Sequence, residues 1–127
     1  MLATLNTKQH RGDGMEAHEL VRHEALAQMG CTKKGKNGDD LRMRNNPSIA
    51  LSNDRHDVVH ANEVALSQQY LNTNGKNTFQ FGLDGKPSKQ QMDVWQGALR
   101  GSGMSASQAR RLRKQSNSFL KKLCCCP

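Results

Sequence analysis

A turn signal, a short apolar run and a capped helix with two histidines follow one another without a gap in Asn45-Asn-Pro-Ser-Ile-Ala-Leu-Ser-Asn-Asp-Arg-His56-Asp-Val-Val-His60. No other stretch constrains the fold as much. Asn tolerates unusual backbone angles and Pro fixes φ, so Asn45-Asn46-Pro47 reads as a turn. Residues 48–51 then make a short strand. Ser52 or Asn53 caps the next helix, and Asp54 and Asp57 sit near its start, where the helix dipole favours anions. On a helix, residues four apart lie on the same face, so the imidazoles of His56 and His60 can reach one ion. Two neutral nitrogen ligands suit Zn²⁺, Ni²⁺, Cu²⁺ or Fe²⁺ better than Mg²⁺ or Ca²⁺. The competing reading of the pair is two polar residues on a solvated face. Against it, His18, Glu19, His23 and Glu24 cluster upstream, so four of the five histidines fall in two short segments.

The rest of the chain is read the same way. Residues 1–14 are polar and form a linker or flexible arm. Residues 16–26 carry Leu20, Val21, Ala25 and Leu26 among charges and read as a strand turning into a short helix. Residues 31–40, with two glycines, form a loop. In the helix that begins at residues 52–53, Val59, Leu66 and Tyr70 recur at helical spacing as an apolar stripe. That helix stops near Leu71, ahead of Asn72-Thr-Asn-Gly75. Phe79 and Phe81 alternate as in a short strand. Ser88-Lys-Gln-Gln91 and Ser105-Ala-Ser-Gln108 both fit the capping box, each opening a helix of a C-terminal hairpin over residues 88–123. Met92, Trp95 and Leu99 share one face of the first helix. Ala109, Leu112, Phe119, Leu120 and Leu123 share a face of the second, with Arg110, Arg111, Arg113 and Lys114 facing out. Gly101-Ser-Gly103 turns between them.

Composition narrows the function class. The 127 residues make one domain, and with 35% hydrophobic and 4% aromatic residues its core must be lean. The net charge is +8, from 19 Lys+Arg against 11 Asp+Glu. Arg100, Arg110, Arg111, Arg113, Lys114, Lys121 and Lys122 follow Asp93 with no acidic residue after it. Such an imbalance draws polyanions, nucleic acid above all. No apolar run approaches the roughly 20 residues that span a bilayer. The first residues lack the apolar core of a signal peptide. Cys31 stands alone, and Cys124, Cys125 and Cys126 are consecutive, so neither a zinc ribbon nor a disulfide framework is indicated. Residues 124–127 read as a frayed, reduced tail.

The stretch from Asn45 to His60 resembles the second half of the HNH/endonuclease VII (His-Me finger) motif. It is most similar to that of nuclease colicins and bacterial polymorphic toxins. Ala17-His18-Glu19 stands where those toxins carry a histidine pair on the first strand. The motif covers residues 16–63, less than half of the chain. The resemblance implies an α+β fold with a ββα-metal core over about 16–71 and additional C-terminal helices, all within a nuclease domain over 15–123. It implies a metal-dependent endonuclease that cuts DNA with little sequence preference, using one divalent ion (Zn, Ni, Mg or Mn). By position, His56 and His60 match the metal ligands and Asn46 the asparagine that braces the loop between the strands. His18 matches the strand histidine, a general base or a ligand. The chain departs from the pattern in having His18-Glu19 instead of His-His, which leaves Glu19 and His23 as further candidates for activating water. His18 itself is favoured as the base over Glu19 and His23, because a neutral imidazole suits that task near neutral pH. Arg22, Arg42, Arg44, Arg55 and the run 110–114 would hold flanking phosphates. The wider implication is the cytotoxic domain of an antibacterial effector, delivered by a secretion system into a target cell's cytoplasm. Its partner in the producing cell would be an immunity protein, expected to be acidic.

Two rival readings use other features. His18-Glu19-Leu-Val-Arg-His23 spells HExxxH, a spaced variant of the HExxH zinc-peptidase motif, with Glu63 as a third ligand. A non-enzymatic nucleic-acid-binding module accounts for the charge but makes the histidines accidental. A zinc deaminase is set aside, because its H-x-E and P-C-x-x-C elements do not occur here.

Overall fold

The computed structural model describes residues 15–30, 41–72 and 78–125, apart from the side chains of Leu41 and Cys125. The expected arm at residues 1–14 and loop at 31–40 lie outside the described residues. The fold is α+β. In chain order it has strand β1 (Met15–Glu19), helix α1 (His23–Gln28), a 3-10 turn (Leu41–Asn45), strand β2 (Ser48–Ser52) and helices α2 (Asn53–Tyr70), α3 (Lys89–Gly101) and α4 (Ala106–Cys125). β1 and β2 pair antiparallel, with His18 opposite Ile49 and Glu19 opposite Ser48. A two-stranded ribbon is marginal alone, and this one is held by packing against α2, which leaves β2 without an intervening loop.

Local chemistry explains the helix starts. Ser52, in extended conformation, caps α2 and its hydroxyl accepts from the Arg55 amide. Ser88 and Ser105 accept from the amides of Gln91 and Gln108 at 3.0 and 3.2 Å. The return bond of a capping box is absent at Gln91. Its buried amide oxygen accepts from the Gln80 backbone instead, tying the preceding segment to α3. α2 ends at a cap on Leu71, and Asn72 adopts the left-handed conformation (φ 53°), as Asn does more readily than most residues.

The core is built on α3. Met92, Trp95, Ala98 and Leu99 pack with Leu20, Val21 and Leu26 around α1, Leu51 of β2, and Ala109, Leu112, Leu120 and Leu123 of α4. Phe79 lies 6.0 Å from the Trp95 ring, centroid to centroid. α2 and α3 approach closely at two glycines. A Cβ on Gly97 would lie 3.2 Å from Leu66, and one on Gly101 would lie 2.7 Å from the Asn62 amide nitrogen. That amide donates to the Ala98 carbonyl at 3.1 Å, so a polar side chain joins the two helices.

Several expectations need correction. Val59 is buried, but Leu66 is only half-buried and Tyr70 is exposed. The buried face of α2 carries Glu63 beside Val59, so it is largely polar and the apolar stripe ends early. Phe79 and Phe81 form no strand; Phe81 makes one isolated bridge to Pro87. Arg113 does not face away from the fold. It donates to Asp93 at 2.6 Å and to Gln96 at 2.7 Å on α3. α4 runs on through Cys125, and Cys124 is disulfide-bonded rather than reduced. Sequence spacing missed this because a disulfide requires only that two cysteines meet in space.

Candidate metal centre

β1 and the first turns of α2 bring three histidines together. His18 is buried, and His56 and His60 are half-buried. One ligand nitrogen from each lies within 4.8 Å of the others. The ring centroids are 4.3 Å apart for His56–His60, 5.3 Å for His18–His56 and 5.5 Å for His18–His60. His18 reaches the helix pair because strand alternation turns Glu16 and His18 to the same face.

Carboxylates orient the helix pair. His56 Nδ1 lies 2.6 Å from Glu16 Oε2, and His60 Nδ1 lies 3.0 Å from Glu63 Oε1. An ionised carboxylate can only accept, so with both carboxylates ionised each imidazole donates from Nδ1 and keeps its lone pair on Nε2. The two Nε2 atoms face one another at 3.1 Å. Two lone pairs at that separation repel unless a proton or a metal cation lies between them. Two nitrogens at about 2.0–2.1 Å from a tetrahedral ion are about 3.3 Å apart, close to the observed spacing. His18 Nε2, buried, has no hydrogen-bond partner. The donor set therefore fits a divalent ion of the Zn²⁺ or Ni²⁺ kind, with carboxylates behind the imidazoles as in many metal sites.

The electrostatics are those of a desolvated cluster. Burial, then the neighbouring His56 and His60, push His18 down to about 3. Burial and His56 lower His60 as well. Both imidazoles are thus neutral and available as acceptors at neutral pH. Glu63 is pushed up to about 7 by burial, against the opposing pull of Arg22, whose Nη1 lies 3.5 Å from Glu63 Oε1. Glu63 Oε2 has no hydrogen-bond partner and sits 3.9 Å from His18 Nε2.

The remaining candidates lie around this centre. Asn46, fully buried, donates from Nδ2 at 2.8 Å to both Glu19 Oε2 and the Val21 carbonyl, pinning the chain just after β1. Glu19 is thereby engaged by Asn46 and is not one of the three clustered ligands. Burial raises its pKa, and the Asn46 hydrogen bond works against that rise. His23 opens α1, on a different element from His18, so the single-helix geometry of the HExxxH reading does not form. Arg22 contacts Glu24 and Glu63. Arg44 and Arg55 are exposed, on the 3-10 turn and the first turn of α2.

Glu16 escaped the sequence reading, and Glu63 entered it only as a ligand of the rejected peptidase. Both carried a signal. Glu16 is two residues before His18 on a strand, and Glu63 is three after His60 on a helix, so each shares its histidine's face. No protein-family model, curated protein or solved structure matches this chain.

Proposed function

We propose that this chain is a metal-dependent endonuclease that hydrolyses DNA phosphodiester bonds with little sequence preference, on a ββα-metal core formed by β1, β2 and the start of α2. The observation that carries the reading is the facing pair of carboxylate-oriented Nε2 atoms on α2, with a third imidazole from β1 beside them. His56 and His60 hold the ion through Nε2, while Glu16 and Glu63 fix their tautomers. His18, offered by the resemblance as base or ligand, is assigned to the ion. A base works best with a pKa near the operating pH, and burial has moved His18 far below it. When bound, a divalent ion supplies Lewis-acid stabilisation of the charge that develops on the scissile phosphate. Asn46 keeps the strand that carries His18 in place by tying Glu19 and the Val21 carbonyl to the turn before β2. Exposed Arg44 and Arg55 and the +8 net charge attract the polyanion and position it without reading bases. The similarity to toxin nucleases extends the proposal to an antibacterial effector domain, delivered into a target cell and neutralised by an acidic immunity protein. No described helix is long and apolar enough to cross a membrane.

The test is plasmid degradation by purified protein with Mg²⁺, Mn²⁺, Ni²⁺ or Zn²⁺, against EDTA and a folded His60→Ala variant. Metal-dependent nicking that disappears with EDTA and in His60→Ala is expected. DNA binding with no cleavage under any metal would overturn the reading in favour of a non-enzymatic nucleic-acid-binding module, the alternative that the net charge favours.

A further inference from the structure

A cleft of about 880 Å³ opens between the 3-10 turn, the start of β2 and one face of α4. Among the described residues, none that lines it belongs to the histidine cluster or is acidic. Arg42, Arg111, Lys114 and Lys122 supply its cations, with Phe119 and Ser48 between them. On α4 the lining positions 111, 114, 118 and 122 recur at spacings of three and four, with Phe119 beside them, so they form one stripe along the helix. Arg111 and Lys114, three apart, carry like charges, which costs the helix stability. Arg111, Lys114 and Lys122 make no ion pair among the described residues, whereas neighbouring Arg113 is paired with Asp93. Among the described residues the stripe's charge thus has no ion-pair partner.

Two further features separate this cleft from a merely solvated basic face. Phe119 packs against the core but is only half-buried, and it lines the cleft together with the cations. Ser48 is almost wholly buried, yet among the described residues its hydroxyl has no hydrogen-bond partner. Cations around an aromatic ring and an unused hydroxyl match one nucleotide unit, in which the phosphate meets the cations and the base stacks on the ring. A duplex keeps its bases stacked inside and offers such a cleft only its backbone.

We propose that this cleft binds an unpaired nucleic-acid strand, seating a base against Phe119 and its flanking phosphates on Arg111, Lys114 and Lys122. The proposal rests on nucleic acid being the ligand class of the preceding section, but not on cleavage or on the metal. An endonuclease with such a site would hold a strand that has peeled away from the duplex.

Binding is measured in EDTA, by fluorescence anisotropy, with a labelled oligothymidylate and a duplex of matched length. The variants are Arg111→Gln with Lys114→Gln, and a control, Arg110→Gln with Lys121→Gln, which removes the same charge from the same helix. All four residues are exposed, so unchanged thermal midpoints should show that each variant folds. The wild type should prefer the single strand. The cleft pair should weaken it about tenfold or more and lower the log–log salt slope by about 1.4, from two lost phosphate contacts; the control should do markedly less. Phe119→Leu should weaken the single strand about fivefold or more and leave duplex binding unchanged. Equal losses in the two double variants, or a wild type with no preference for the single strand, would overturn the proposal. So would competition by thymidine monophosphate as strong as that of the strand at equal nucleotide concentration, which would make the ligand a free nucleotide. Because no metal is present, these outcomes are independent of the plasmid assay.

Discussion

Replacing Asn46 with alanine removes two buried hydrogen bonds at once. Nδ2 donates at 2.8 Å to Glu19 Oε2 and at 2.8 Å to the Val21 carbonyl, and the residue has no exposed surface. A hydrogen bond to a charged group contributes about 1.5–3 kcal/mol net, and a neutral one about 0.5–1.5. The pair is therefore worth about 2–4 kcal/mol. One term opposes this. Asn46 Oδ1 is buried without a partner, and deleting an unsatisfied acceptor returns about 1 kcal/mol or more. Asn46→Ala should thus destabilise the protein by about 1–3 kcal/mol, read as a lower urea midpoint with an unchanged slope. Asn46→Asp should be worse at neutral pH, since it sets a second carboxylate against Glu19, and should recover as the pH falls. If Asn46→Ala lies within about 0.5 kcal/mol of wild type, the amide does not brace the strand end and this account of the residue is wrong.

Titration offers a second check on metal-free protein. His18 has a folded pKa near 3, below its ordinary 6.5, so its contribution is present above pH 6.5 and lost as the pH falls towards 3. Glu63 is raised from 4.5 to about 7, so its contribution is present below pH 4.5 and lost as the pH rises through 7. The two slopes oppose each other between pH 4.5 and 6.5. Relative to wild type, the slope of stability against pH over that interval should therefore become more negative in His18→Asn and more positive in Glu63→Gln, as read by denaturation across pH. Replacing Glu16 by Gln removes the carboxylate that fixes the His56 tautomer. It should weaken Zn²⁺ binding about 10- to 100-fold in competition with a chromogenic chelator. Gly101→Ala gains up to about 1 kcal/mol of helix propensity but must push the Asn62 amide off the Ala98 carbonyl, so it should be near neutral alone. In an Asn62→Ala background the same substitution should stabilise, as read by the shift in thermal midpoint.

What was legible in the sequence was what depends on neighbours along the chain. Asn45-Asn46-Pro47, the strand after it and the Ser52 cap placed β2 and α2 within a residue or two. Ser88 and Ser105 likewise placed the hairpin. The i,i+4 rule put His56 and His60 on one face, and they are together in space. That His18 joins them follows from pairing β1 with β2 across a long connection, which no local pattern specifies. The carboxylates were harder still. Glu16 and Glu63 look like ordinary surface charges until the fold buries Glu63 and turns Glu16 towards His56. The α2 stripe misled because periodicity assumes that a buried face is apolar, and here that face carries Glu63. The cleft beside α4 was legible only as a basic run. Spacing could not separate Arg113, which pairs with Asp93, from Arg111 and Lys114, which do not.

The central claim is that His18, His56 and His60 form one metal centre. Titration of the metal-free protein with Co²⁺, followed by its visible d–d absorption, tests it most directly. The account predicts saturation at one ion per chain, with bands that weaken or vanish in each of His18→Asn, His56→Asn and His60→Asn while His23→Asn leaves them unchanged. A protein that binds no Co²⁺, or whose spectrum survives loss of the helix pair, would contradict it.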